Sequence, residues 1–143
     1  MPRTIITIMV KPALRSRGLL VRLIEKDDNQ GYYLSCWALP WPIWLRETQE
    51  QLEDYQAENW KREISTAEAE QWLQSLQYQT VVIAPKPEDF QTRDGESYEF
   101  IFEDHNRKMQ LSWSNEIPDG WQVIWSVSER LLEIARSSAK VTR

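Results

Sequence analysis

The sequence predicts an α+β fold: a single domain over residues 1–143, built on a mainly antiparallel sheet of about six strands, in the order βββ-αα-βββ-α, with helices packed on one face. Three observations carry this expectation. Short β-branched runs follow one another near the N-terminus with brief links. A period-two hairpin occupies residues 96–113. A strongly periodic helix closes the chain.

Residues 4–10 ("TIITIMV") read as a strand because of their β-branched content. Residues 18–25 ("GLLVRLIE") read as a second, with Leu19, Val21 and Leu23 on one face and Leu20, Arg22 and Ile24 on the other. "KDDNQG" supplies turn residues, with Gly31 free to take positive φ. A third strand covers residues 32–38 ("YYLSCWA"), and with links this short the three form an antiparallel meander.

The pattern changes after Pro42. Residues 43–64 contain no Gly or Pro and abound in Glu, Gln, Leu and Arg, which predicts a surface helix. Its apolar stripe is thin: Leu45, Leu52, Tyr55 and Trp60. Ser65 and Glu68 form an S-x-x-E capping box that opens a second helix, with Ala69, Trp72, Leu73 and Leu76 as its apolar stripe. Residues 80–85 ("TVVIAP") are apolar on both faces and predict an interior strand.

The hairpin of residues 96–113 is the most specific local signal. With Asp104 to Arg107 as the loop, Glu103 faces Lys108, Phe102 faces Met109, Phe100 faces Leu111 and Tyr98 faces Trp113. That register gathers six apolar side chains on one face and pairs opposite charges at the tip. From Trp121 onward, Ile124, Val127, Leu131 and Ile134 recur at helical spacing. Arg130, Arg136 and Lys140 lie toward that helix's C-terminal end, where its dipole favours cations. Water is expected over much of the sheet face away from the helices, and the last few residues are expected to fray.

Composition narrows function mainly by exclusion. The chain has 143 residues and a net charge of −5, with one cysteine (Cys36) and one histidine (His105). An internal disulfide and a cysteine metal cluster are therefore impossible. No apolar run approaches a membrane span, and "TIITIMV" is too short for a signal peptide's apolar segment, so the protein reads as cytosolic. Residues 1–26 hold six basic residues against Glu25 alone, which leaves the remainder strongly acidic. Lys11, Arg15 and Arg17 fall in one turn and make a weak anion-attracting spot, well short of a nucleic-acid footprint. The same charges also suit a solvated loop tip.

Residues 94–135 show D-G-x-x-Y-E (Asp94, Gly95, Tyr98, Glu99), a hairpin ending in Trp113, and P-x-G-W (Pro118, Gly120, Trp121) opening a helix. This arrangement resembles a pattern in small uncharacterised bacterial proteins. The resemblance implies a bacterial origin and no activity.

The sequence offers no catalytic motif, no metal site and no cofactor loop. A Cys36/His105 nucleophile pair would need two side chains predicted on a strand and at a projecting hairpin tip to meet. Glu103 to Asn106 hold possible metal ligands, but a tight turn cannot aim four consecutive side chains at one ion. The compositional anomaly is tryptophan, eight in all, with three inside "LSCWALPWPIWL" at Trp37, Trp41 and Trp44. Trp41 and Trp44 flank Pro42 at a strand-to-helix corner, where indoles either plug the sheet's open end or anchor a partner. Acidic residues including Glu50, Glu53 and Asp54 lie beside them and suit a partner with a basic patch.

The expected function is a non-enzymatic, acidic protein-interaction domain, adaptor-like or inhibitor-like, with a protein partner or a second copy of itself. The alternatives are a small-ligand or carbohydrate binder using the Trp37–Trp44 aromatics and an enzyme with an unlocated carboxylate site. Neither nucleic acid nor membrane is expected as a partner.

Overall fold

The computed structural model describes residues 2–11, 18–27, 30–39, 58–77, 97–104, 107–114 and 117–141. Their elements are β1 (Arg3–Lys11), β2 (Gly18–Glu25), β3 (Tyr32–Leu39), β4 (Glu58–Ile64), α1 (Thr66–Gln77), β5 (Ser97–Asp104), β6 (Arg107–Ser114) and α2 (Gln122–Val141). The six strands form one antiparallel sheet in the order β4-β3-β2-β1-β5-β6. The α+β class, the N-terminal meander and helices α1 and α2 are as the sequence predicts, while residues 43–57 of the third predicted helix lie outside the described residues.

The meander forms because its links are short and turn-rich. Gly31 takes φ of 111°, and the Lys26 amide donates to the Gly31 carbonyl at 2.9 Å, closing the β2–β3 connection. Between Thr4 and Ile6 the β1–β2 register shifts by one residue. This bulge lets the consecutive Ile5 and Ile6 both enter the core, which a regular strand forbids.

Hairpin β5–β6 has the predicted register: Tyr98–Trp113, Phe100–Leu111, Phe102–Met109 and Glu103–Lys108. Pairing continues one step nearer the tip, to Asp104–Arg107, leaving two residues between the strands. Tyr98 stacks on Trp113 at 5.3 Å between ring centroids, and Trp125 meets Tyr98 edge-on at 5.6 Å. Trp121 meets Trp113 edge-on at 6.1 Å, so the start of α2 is pinned to the hairpin by aromatic contacts.

The N-cap half of the capping box is realised, since the Glu68 amide donates to Ser65 Oγ at 3.2 Å, while the Glu68 carboxylate accepts from Arg130. Helix α1 buries Ala69, Trp72 and Leu76, and α2 buries Ile124, Val127, Leu131, Leu132, Ile134 and Ala135. Arg130 on α2 donates from Nε to Glu68 on α1 at 2.9 Å and ties the two helices on their exposed side. Beneath them one row crosses the whole sheet: Trp60, Cys36, Val21, Ile8, Phe100 and Leu111.

Two expectations are corrected. Residues 58–64, predicted as the end of a helix, form strand β4 on the edge of β3. Alternation decides it at Trp60 and Ile64, which turn into the core, while Asn59, Lys61 and Glu63 point the other way and Arg62, in phase with the buried pair, stays exposed at the sheet edge. The small Cys36 opposite Trp60 leaves room for the indole, whose Nε1 donates to the Ala135 carbonyl of α2 at 2.9 Å. Burial of an aromatic plus a backbone ladder outweighs a helix propensity that spans only tenths of a kcal/mol per residue. The sixth strand is thus β4, and the strand predicted at 80–85 lies outside the described residues.

The second correction concerns the face away from the helices. Its centre is buried: Thr7, Met9, Leu20, Ser35 and Ile101 are each under one-tenth exposed. The central strands are therefore enclosed on both sides.

Trp60 supplies a test of this architecture. Replacing it by Ala is expected to cost about 3–5 kcal/mol in urea unfolding, and by Phe about 1 kcal/mol beyond the lost volume, for the missing hydrogen bond. A Trp60→Ala change without effect on the unfolding midpoint would contradict the placement of β4.

Candidate functional site

On the face away from the helices, β3 presents Tyr33, Ser35 and Trp37 in sequence. Ser35 lies opposite Arg22 of β2 and Lys61 of β4. Both cations lean along β3 onto the neighbouring aromatic ring: Arg22 Cζ lies 5.7 Å from the Trp37 centroid and Lys61 Nζ 5.5 Å from that of Tyr33. Each ring offers its negative face to a cation from an adjacent strand, on opposite sides of Ser35. Ser35 is buried, and Tyr33 and Trp37 are half-buried.

The arrangement opens at the β3–β4 margin into a shallow depression of about 500 Å³ lined by Lys26, Tyr33, Lys61, Arg62 and Glu63. Lys26 pairs with Glu63 across its rim. Three cations against one carboxylate make this margin locally positive on a chain that is acidic as a whole. Cations held against rings and carboxylates lose less conformational freedom on meeting an anion than free lysines do. The chemistry on offer is recognition of carboxylate or phosphate oxygens beside an aromatic surface.

The sequence-derived site residues fare differently. Trp41, Trp44, Glu50, Glu53 and Asp54 lie outside the described residues, as do Arg15, Arg17 and His105. Lys11 ends β1 opposite Ser97 and is half-buried. Trp37 is on the expected face, opposite in phase to Cys36. Sequence reasoning missed Arg62 and the pairing of Lys61 with Tyr33, because residues 58–64 read as helix. The available signal was the alternation of Trp60 and Ile64 with exposed polar residues, short enough to be hidden by strong helix formers on either side.

Cys36 faces the helices, fully buried, and burial pushes its thiol up to about 12. It is a core side chain held as the neutral thiol, which is the opposite of what a nucleophile requires. Among the described residues no group of three or more His, Cys, Asp or Glu is placed to hold a metal ion. Nor is any described helix long and apolar enough to cross a membrane.

No family model matches the chain, and neither the curated proteins nor the solved structures contain a significant match.

The raised thiol has a measurable consequence. A group whose pKa rises on folding stabilises the fold below its unfolded value and loses that contribution as pH climbs toward its folded value. Cys36 should therefore contribute a steady amount up to about pH 9 and a falling one from there to about pH 12. Unfolding free energies of the wild type and Cys36→Ala, compared across this window, should converge by that amount. In native buffer the thiol should react with a disulfide reagent only through transient opening.

Proposed function

We propose that the chain is a small cytosolic domain of bacterial type that binds a protein partner and performs no catalysis, acting as an adaptor or inhibitor. The observation that carries this reading is the braced cation–aromatic surface on β3 and β4. Its residue types (Arg, Tyr and Trp) are those enriched at protein interfaces, and its form is shallow and open. The partner's contacting segment carries carboxylates, which meet Lys26, Lys61 and Arg62 and gain steering as well as register from them. Stacking of a sugar ring fits less well, because Arg22 already lies over the Trp37 indole.

Residues 41–54 begin four positions after Trp37 in the chain. They extend the same proposal: Trp41 and Trp44 add aromatic anchors and Glu50, Glu53 and Asp54 add an acidic rim that answers a basic zone on the same partner.

A charge-reversed variant, Lys61→Glu with Arg62→Glu, provides the test. Both side chains are exposed, so its thermal unfolding should match the wild type within a few degrees. Affinity capture from the native cell, followed by titration of the captured protein, should show binding to the wild type weakened roughly tenfold or more by the reversal. Equal binding by both proteins would place the interface elsewhere. Substrate turnover abolished by the same reversal would replace the binding reading with an enzymatic one.

A further inference from the structure

The two outer strands of the described sheet are guarded differently. Edge strand β4 exposes Asn59, Lys61, Arg62 and Glu63, and charge along an edge deters pairing with another chain. The opposite edge, β6, carries Lys108 near its tip and then runs Met109, Gln110, Leu111, Ser112, Trp113 and Ser114 with no charge and no proline. Beside that edge, on the helix-covered face, Phe102, Met109 and Leu111 are only half-buried, while the ring contacts from the start of α2 fall on Tyr98 and Trp113 at the other end of the hairpin. Among the described residues, a strand edge without charge beyond Lys108 adjoins an incompletely covered apolar strip.

We infer that this edge is covered by a second copy of the chain, through antiparallel pairing of β6 with β6 about a two-fold axis at Leu111. The hairpin fixes which backbone groups of β6 face outward, and the side chains select the axis among the registers that match them. Two residues separate β5 from β6, which makes Asp104–Arg107 a hydrogen-bonded pair and sets the alternation beyond it. Met109, Leu111 and Trp113 then bond inward to β5, while Lys108, Gln110, Ser112 and Ser114 turn their amides and carbonyls outward. Antiparallel self-pairing must match outward residues with outward residues. An axis at Leu111 does so, pairing Gln110 with Ser112 and Lys108 with Ser114 of the other copy.

The side chains agree with that register. Leu111 meets its own counterpart at a non-hydrogen-bonded position, where side chains approach closest. Met109 meets Trp113 on either side of it, and all six lie on the helix-covered face of a continuous sheet. No like charges oppose one another. The same operation at the other edge, about Lys61, would set Lys61 against Lys61.

The inference is independent of the partner-binding surface on β3 and β4, and its test is distinct. Sedimentation velocity of the full chain across roughly 1–500 µM should show a monomer–dimer equilibrium, as befits an interface at the small end of the usual range. Leu111→Lys sets two ammonium groups at the axis and should leave only monomer. Ser112→Pro removes an outward amide without touching a β5 bond, so it should do the same with the hairpin intact. Lys61→Glu should leave the dimer unchanged. In hydrogen exchange the amides of Gln110 and Ser112 should gain protection as concentration rises. A wild type that stays monomeric throughout, a dimer that survives both β6 variants, or outer amides protected equally at every dilution would each overturn the proposal.

Discussion

Burial of the Trp60 indole between the edge of the sheet and α2 is the constraint on which most of the structure depends. The ring needs a small neighbour, which Cys36 provides, and its N–H needs an acceptor, which the Ala135 carbonyl provides. Both are met only if residues 58–64 are extended and lie beside β3. That placement in turn turns Lys61 and Glu63 toward the other face, where they meet Tyr33 and Lys26. A contact made for packing on one side of the strand therefore sets the charge arrangement on the other.

The sheet reconciles two demands that its strands make at different places. At the centre, β1 and β2 bury side chains on both faces, including Ile8 and Val21 toward the helices and Met9 and Leu20 away from them. At the β3–β4 margin the face away from the helices carries cations, aromatics and exposed polar groups. This gradient sets the charged and aromatic groups of the margin on strands whose centre is packed from both sides. The two outer strands differ as well, β4 carrying charge along its length and β6 none beyond Lys108.

Legibility in the sequence tracked how local the deciding interactions are. The register of β5–β6 was readable because alternation, charge pairing at the tip and a short connection all favour one answer within eighteen residues. The capping box at Ser65 and Glu68 was readable for the same reason. Residues 58–64 were misread because their extended state is stabilised by β3 and α2, distant in the chain, against a local preference for helix. Burial of the far face had a visible trace in Met9, Leu20 and Ile24, apolar residues on the side expected to be wet, but alternation alone does not say what lies across from them.

The candidate surface divides along the same line. From the sequence alone come the antiparallel α+β class, the hairpin and its register, both helix stripes, and the placement of Trp37 on the face opposite Cys36. All of these follow from periodicities of two and 3.6 residues and from turn and cap chemistry. Only the tertiary structure brings Lys61 to Tyr33, Arg22 to Trp37 and Trp60 to Ala135. Two of these meetings join elements separated by long stretches of chain, the third crosses the short β2–β3 link, and the energies of all three come from burial and ring–cation contact rather than from any local preference.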